Sequence, residues 1–309
     1  LSVLEDYPGS VVFMPGNHDW ARGQNRGADR VMNEETYIEN FLNRGDVYFP
    51  GSACPGPVEI EFTDVIVLII FDTQWLLHKF EKPGPESGCD FEDEESLFIQ
   101  IEDMLSRNAG KKVIFAAHHP LFSAGNHGGY FPASRLLFPL LDLKKYLYIP
   151  LPGFIYTGYR KYFGHIQDIA HPEYKSIRKK LLDVFADHPN LVYVAGHEHN
   201  LQYKLHDSLH HVISGGGGEA TYIANKPKAA DFAMQSRGLS ALRFYENGDV
   251  WVEYYIPDRT QQGELVFRKF LYNSLPGQPE GKSERVATHD YSDSTVTRKI
   301  TDLCDRGKF

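Results

Sequence analysis

Long apolar runs are missing. No stretch of this 309-residue chain reaches the length of a membrane-spanning helix. Basic excess is missing too: the formal charge is -9, where a nucleic-acid binder usually carries a basic face, so nucleic acid is not expected as a partner. Internal repeats are absent. The zinc-protease pattern His-Glu-x-x-His and the serine-hydrolase pattern Gly-x-Ser-x-Gly are absent as well, which removes two common hydrolase classes. Gly215-Gly216-Gly217-Gly218 has no Lys-Ser/Thr after it, so it is read as a tight turn and not as a nucleotide loop. Cysteine is scarce, with three residues in all. Cys54 and Cys89 both lie in turn-forming loops, which favours a disulfide over two free thiols, and Cys304 is left over in a polar tail. The chain opens at Leu1-Ser2-Val3-Leu4 without a signal peptide, and an upstream segment is expected.

What remains is the composition of a globular protein, 42% hydrophobic and 24% charged, with enough length for one large domain and additions. Strand-like runs fall at 11–14, 58–62, 65–71, 113–117, 191–195, 201–205, 210–214, 239–245 and 249–256, and helical patterns at 34–43, 94–107 and 173–187. Pro172 suits the start of the last helix. Glu246-Asn247-Gly248-Asp249 is a hairpin signal. Strands alternate with helices early and follow one another later, the order of an α/β (α+β) protein with mixed sheets. The domain is expected over 1–272, with a polar tail or linker at 273–309. Residues 130–172 break the rhythm and are rich in aromatics and prolines. They read as a packed insertion, as a lid, or as a surface for membrane or envelope-protein contact.

Three histidine-bearing strings carry the chemistry: Gly16-Asn17-His18-Asp19, Ala117-His118-His119-Pro120 and Gly196-His197-Glu198-His199. Each follows an apolar run, as expected where buried strands deliver polar side chains at their C-terminal ends. Asn17 offers a neutral amide oxygen suited to a divalent cation. His197 and His199 are two apart, so in an extended segment both can face one centre, and Gly196 would let the chain turn there. Of His210 and His211, adjacent positions on an alternating strand, at least one faces away, and neither is taken as a ligand.

These strings resemble the closing three motifs of the calcineurin-like metallophosphoesterases, Gly-Asn-His-(Asp/Glu), Gly-His and Gly-His-x-His, with Ala117 in place of the second glycine. The resemblance is greatest to the purple acid phosphatase-like branch, which includes tartrate-resistant acid phosphatase. That branch's Gly-His-x-Pro…Ser…His-Gly segment is matched by His118, Pro120, Ser123 and His127-Gly128. The likeness covers roughly residues 1–255. It implies a four-layer α/β/β/α sandwich, here without its N-terminal strand. It also implies a phosphoester hydrolase using two metal ions (Fe, Zn or Mn) and a phosphoester substrate, most simply a monoester. In that scheme Asn17, His118 and His197 bind one metal and His199 the other. His18 contacts the phosphoryl group and protonates the leaving oxygen, His127 assists it, and Asp19 orients His18. The family's earlier Asp-x-His and Gly-Asp motifs have no counterpart among the fifteen residues before Gly16. The competing reading is therefore a degenerate module with a binding or envelope-assembly role. An extracytoplasmic setting is expected, with the cytoplasm as the alternative.

Overall fold

Central strands buried on both faces decide the architecture. The computed structural model describes residues 1–138, 153–189, 191–258 and 263–273. The strands are β1 Val58–Thr63, β2 Ile66–Ile70, β3 Lys112–Ala116, β4 Val192–Ala195, β5 Leu201–His206, β6 Leu209–Ser214, β7 Phe232–Met234, β8 Leu239–Phe244, β9 Asp249–Ile256 and β10 Glu264–Asn273. The helices are α1 Ser2–Glu5, α2 Gly27–Leu42, α3 Thr73–Leu77, α4 Glu94–Arg107, α5 Ala133–Leu137, α6 Gly153–Tyr162 and α7 Pro172–Phe185.

A seven-stranded sheet has the order β1-β2-β3-β4-β6-β5-β7. Its centre, β2 to β3 to β4 to β6, is parallel, and antiparallel strands flank it. On β2, Val67 and Ile69 join the core under the helices, while Leu68 and Ile70 face the other way. That helical side takes Val31 and Ile38 of α2, Leu97, Ile101 and Leu105 of α4, and Leu181 and Phe185 of α7. The opposite face, along β4, β5 and β6, stacks on the three-stranded sheet β10-β9-β8. Val192, Tyr203 and Val212 meet Val250, Val252 and Tyr254 there. The chain is thus mixed α/β, and the described residues form a helical layer and two sheets.

Local signals account for the element ends. Asp93 caps α4 by accepting from Glu95 and Ser96 backbone N–H groups, while its own N–H donates to Ser96 Oγ, a reciprocal capping box. Pro172 occupies the first turn of α7, behind His171 as N-cap. Cys54 and Cys89 are bonded, with Cα atoms 5.6 Å apart and 35 residues between them in sequence. Closing a loop of that size stabilises by roughly 3–4 kcal/mol in the chain-entropy model. The bridge borders a cleft of about 560 Å³ lined by Glu59, Asp103 and Arg107, among others, and by no histidine.

Some expectations shift. The run 11–14 forms no strand: Phe13 makes a single parallel bridge to Tyr48, its N–H donating to Val47 O and its carbonyl accepting from Phe49 N–H. The first long helix begins at Gly27 and not at 34, because its opening turn has no side-chain cap and no apolar spacing to announce it. β7 and β10 have no counterpart among the expected runs. Within 130–172, α6 buries Gly153 and Thr157 and exposes Phe154, Ile155, Tyr159 and Tyr162, which is the reverse of an ordinary amphipathic helix. Residues 139–152 and the expected tail beyond 273 lie outside the described residues.

On β6, His210 and His211 do face opposite sides. His210 meets Tyr203 Oη at 2.9 Å, and His211 Nε2 accepts the Leu121 N–H at 3.0 Å. Burial first, and Arg178 second, push the His211 imidazole down to about 3. This folded-state value lies below the unfolded one. The stabilisation is therefore complete above about 6.5 and drains as pH falls toward 3. At pH 5 the loss is about 2 kcal/mol. Urea denaturation of wild type and His211→Gln, whose amide oxygen can still accept the Leu121 N–H, isolates this group. Between pH 7 and 5 the wild type is expected to lose about 2 kcal/mol relative to the variant. Parallel losses would rule out the assignment.

Candidate metal centre

The parallel strands end in register, so the residues that follow them gather on one edge. Asp72, Thr73 and Gln74 follow β2, His118 follows β3 and His197 follows β4. Asn17 arrives from a separate loop. There the Asp19 carboxylate accepts the Gly16 N–H at 2.7 Å, and the buried Trp20 donates its indole N–H to Asp72 at 2.7 Å. Gly16 is required by contact, since a Cβ there would come within 2.6 Å of the His118 imidazole. His197 has φ 64°, so the left-handed turn expected at Gly196 falls on the histidine itself. A non-glycine residue held there stores strain of a kind found at functional sites.

Three donor atoms converge. His118 Nε2 is 3.0 Å from Asn17 Oδ1 and 3.2 Å from His197 Nδ1. His197 Nε2 donates to the Gln167 carbonyl at 3.0 Å, which fixes the proton there and leaves Nδ1 with a free lone pair toward the cluster. Burial, then the neighbouring histidines, hold the His118 and His197 imidazoles well below their ordinary value. Both are neutral at neutral pH, the form that binds a cation. Two neutral imidazole nitrogens and an amide oxygen, with His118 Nε2 within hydrogen-bond distance of the other two, suit a divalent transition-metal ion.

His119 completes a three-histidine group with His118 and His197, their nitrogens within 4.8 Å of one another. It is nonetheless not a free donor. Thr73 Oγ1 lies 2.8 Å from Nδ1, and Nε2 donates to Gln167 Oε1 at 2.9 Å. Burial pushes its imidazole down to about 4.

The other expected residues lie around this cluster. The His127 ring lies tilted against His197 with centroids 4.0 Å apart, and its Nδ1 is 2.9 Å from Asp168 Oδ1. Burial works to raise the Asp168 carboxyl, but hydrogen bonds from Arg160 and His127 outweigh it and hold the group below the ordinary carboxylate value. His199 is half-exposed, with Nδ1 3.3 Å from Glu219. His18 is exposed, and its imidazole is lowered by burial, then by the charges of Arg22 and His199. Asp19 makes no hydrogen bond to His18; its carboxylate is spent on Gly16 and lies beside Glu34. Among the described residues, no carboxylate joins the Asn17, His118 and His197 donors.

Six supporting residues escape a motif reading. Asp72, Thr73 and Gln74 grip Trp20, His119 and Gln167 in turn. Glu198, 1% exposed, accepts from Ser123 Oγ at 2.5 Å and His127 N–H at 2.8 Å. A polar run directly after the apolar strand β2 was the available signal for the first three. Glu198 filled the variable position of its string, and Gln167 and Asp168 lie in the insertion, where no pattern marks them.

No family model and no curated protein matches the chain. Among solved structures it is similar to GAP50, the anchor in the inner membrane complex of Plasmodium, with 14% identity and a TM-score of 0.45 over 84% of this chain and 63% of that one. It is similar to purple acid phosphatase PPD1 from yellow lupin seeds, with 14% identity and a TM-score of 0.40 over 68% and 31%. A Staphylococcus aureus structure described as a 5'-nucleotidase in complex with α-ketoglutarate gives 13% identity and a TM-score of 0.32 over 94% and 42%. The chain thus spans less than two thirds of each of these.

Proposed function

We propose that this protein is a metal-dependent phosphoester hydrolase acting on phosphomonoesters. The observation that carries the reading is the convergence of Asn17 Oδ1, His118 Nε2 and His197 Nδ1, with the His197 proton committed to the Gln167 carbonyl. The order and content of the three strings support phosphoester chemistry in particular. Asn17, His118 and His197 would hold one metal ion, and His199 would contribute to a second. Such ions supply Lewis acidity toward phosphoryl oxygens and acidify water. His18 is exposed and would meet a phosphoryl group and donate a proton to the departing oxygen. His127, held by Asp168, presents its other ring nitrogen for the same purpose. The disulfide suits an extracytoplasmic compartment.

One observation favours the degenerate alternative: His199 pairs with the exposed Glu219, and no described carboxylate joins the cluster. Elemental analysis beside p-nitrophenyl phosphate turnover separates the two. Close to two metal ions per chain, with metal and turnover both lost in His197→Ala, is expected. One ion or none, with no turnover under Fe, Zn or Mn supplementation, would replace the hydrolase reading with a binding module.

A further inference from the structure

We infer that the segment after α6, centred on Gln167 and Asp168, is the outer support that holds the metal-binding histidines in their working tautomers and orientations. The inference rests on the metal-centre reading of Asn17, His118 and His197. It assigns Gln167 as the principal positioning residue.

Gln167 is 5% exposed, and its carbonyl and both side-chain polar atoms are committed to this site. Its carbonyl takes the His197 Nε2–H at 3.0 Å, its Oε1 takes the His119 Nε2–H at 2.9 Å, and its Nε2 donates to Gln74 Oε1 at 2.8 Å. The next residue, Asp168, is fully buried and accepts from His127 Nδ1. Two consecutive residues therefore grip three histidines, at 119, 127 and 197. The three rings also touch: His119 and His127 lie 4.6 and 4.0 Å from His197, centroid to centroid. A shift of any one ring is felt by the ligand.

The grip is anchored from behind. Arg160 of α6 binds both Asp168 oxygens, and the His165 N–H donates to Asp168 Oδ2 at 2.8 Å. Ile169 N–H donates to the His127 carbonyl at 3.0 Å. On the far side Gln74 belongs to α3, whose N-cap Asp72 holds Trp20 beside the Asn17 loop. Gln167 thus links the insertion to the sheet edge that carries the ligands. Partners of this kind, one bond removed from the metal, fix the tautomer and orientation of a ligating imidazole, and their loss commonly costs 10–100-fold in metal affinity.

The test is Co2+ and Zn2+ affinity by competition with a chromophoric chelator, with the visible absorption of the Co2+ form recorded alongside. Gln167→Ala keeps the backbone carbonyl that takes the His197 proton but loses the side-chain tether to His119 and Gln74; it is expected to bind both ions about 10-fold more weakly, the low end of what a supporting partner costs, and to shift the Co2+ bands. Gln167→Glu is expected to bind within a few-fold of wild type. Its carboxylate still accepts the His119 proton, and Gln74 Nε2, which has no partner, can turn to meet it. Wild-type affinity and an unchanged spectrum in Gln167→Ala would overturn the inference and leave the metal centre standing. Absence of Co2+ and Zn2+ binding by wild type would defeat the metal centre itself, and the inference with it. Where Gln167→Ala does not fold, Gln74→Ala frees the Gln167 amide without touching a histidine. Weaker binding there supports the inference, and undiminished affinity with an unchanged Co2+ spectrum overturns it.

Discussion

His118→Ala is expected to lose its metal, with affinity falling beyond the roughly 100-fold that a supporting partner costs, while His119→Ala keeps its three donors and loses folding stability. The two histidines are neighbours in sequence, and both lie within 4.8 Å of His197 by their nitrogens. Proximity alone cannot rank them, but hydrogen bonding does. His118 Nε2 faces Asn17 Oδ1 and His197 Nδ1, two acceptors that a cation would satisfy together with it. His119 donates its Nε2 proton to Gln167, and Thr73 Oγ1 occupies the one lone pair, on Nδ1, so no ring nitrogen is free for a metal. Its removal takes one buried hydrogen bond from Thr73 Oγ1 and one from Gln167 Oε1, and each unmade bond costs about 1–3 kcal/mol. About 3–5 kcal/mol is expected for His119→Ala once the vacated volume is added. Bound metal by elemental analysis and unfolding free energy by urea denaturation read both effects. A His119→Ala protein that folds as well as wild type and carries no metal would reverse the assignment.

The sheet was legible because its central strands are fully buried. Ile66–Ile70, Lys112–Ala116 and Val192–Ala195 read as short apolar runs, and α4 was bounded correctly by a cap and a repeating apolar stripe. Val11 to Met14 has the same composition as those strands and makes only one bridge, since composition shows that a segment prefers extension and says nothing of whether a partner strand lies beside it. The site divides in the same way. Asn17, His118 and His197 were singled out because donor chemistry coincides with the end of an apolar run, although the run before Asn17 forms a loop and not a strand. Their supports were not. Gln167 acts partly through a backbone carbonyl, which every residue possesses, and reaches His119 across 48 positions. Asp19 illustrates the opposite error. Adjacent to His18 in sequence, it serves the Gly16 backbone instead, because a short carboxylate in a tight loop meets a local N–H before it meets its neighbour's ring.

Glu198→Ala is expected to cost about 3–5 kcal/mol of stability, as much as His119→Ala. One carboxylate oxygen accepts from Ser123 Oγ and from His127 N–H, and the Gly125 N–H in turn donates to Ser123 Oγ at 2.8 Å. Deleting the carboxylate leaves the hydroxyl and the His127 amide without their acceptor in a region closed to water. The packing is equally committed. A Cβ on Gly125 would press on the Glu198 carboxylate, and one on Gly215 would meet the Glu198 carbonyl. The backbone at 198 is therefore held from both ends, and it lies between His197 and His199. Relaxation around the missing carboxylate would move both histidines, so metal affinity is expected to fall together with stability. Glu198→Gln retains an acceptor at the occupied position and is expected to cost no more than about 1.5 kcal/mol. Equilibrium unfolding and metal titration of the pair decide the matter. A Glu198→Ala protein within about 1 kcal/mol of wild type, still holding its metal, would show that the Ser123–His127 loop is positioned by something other than this buried carboxylate.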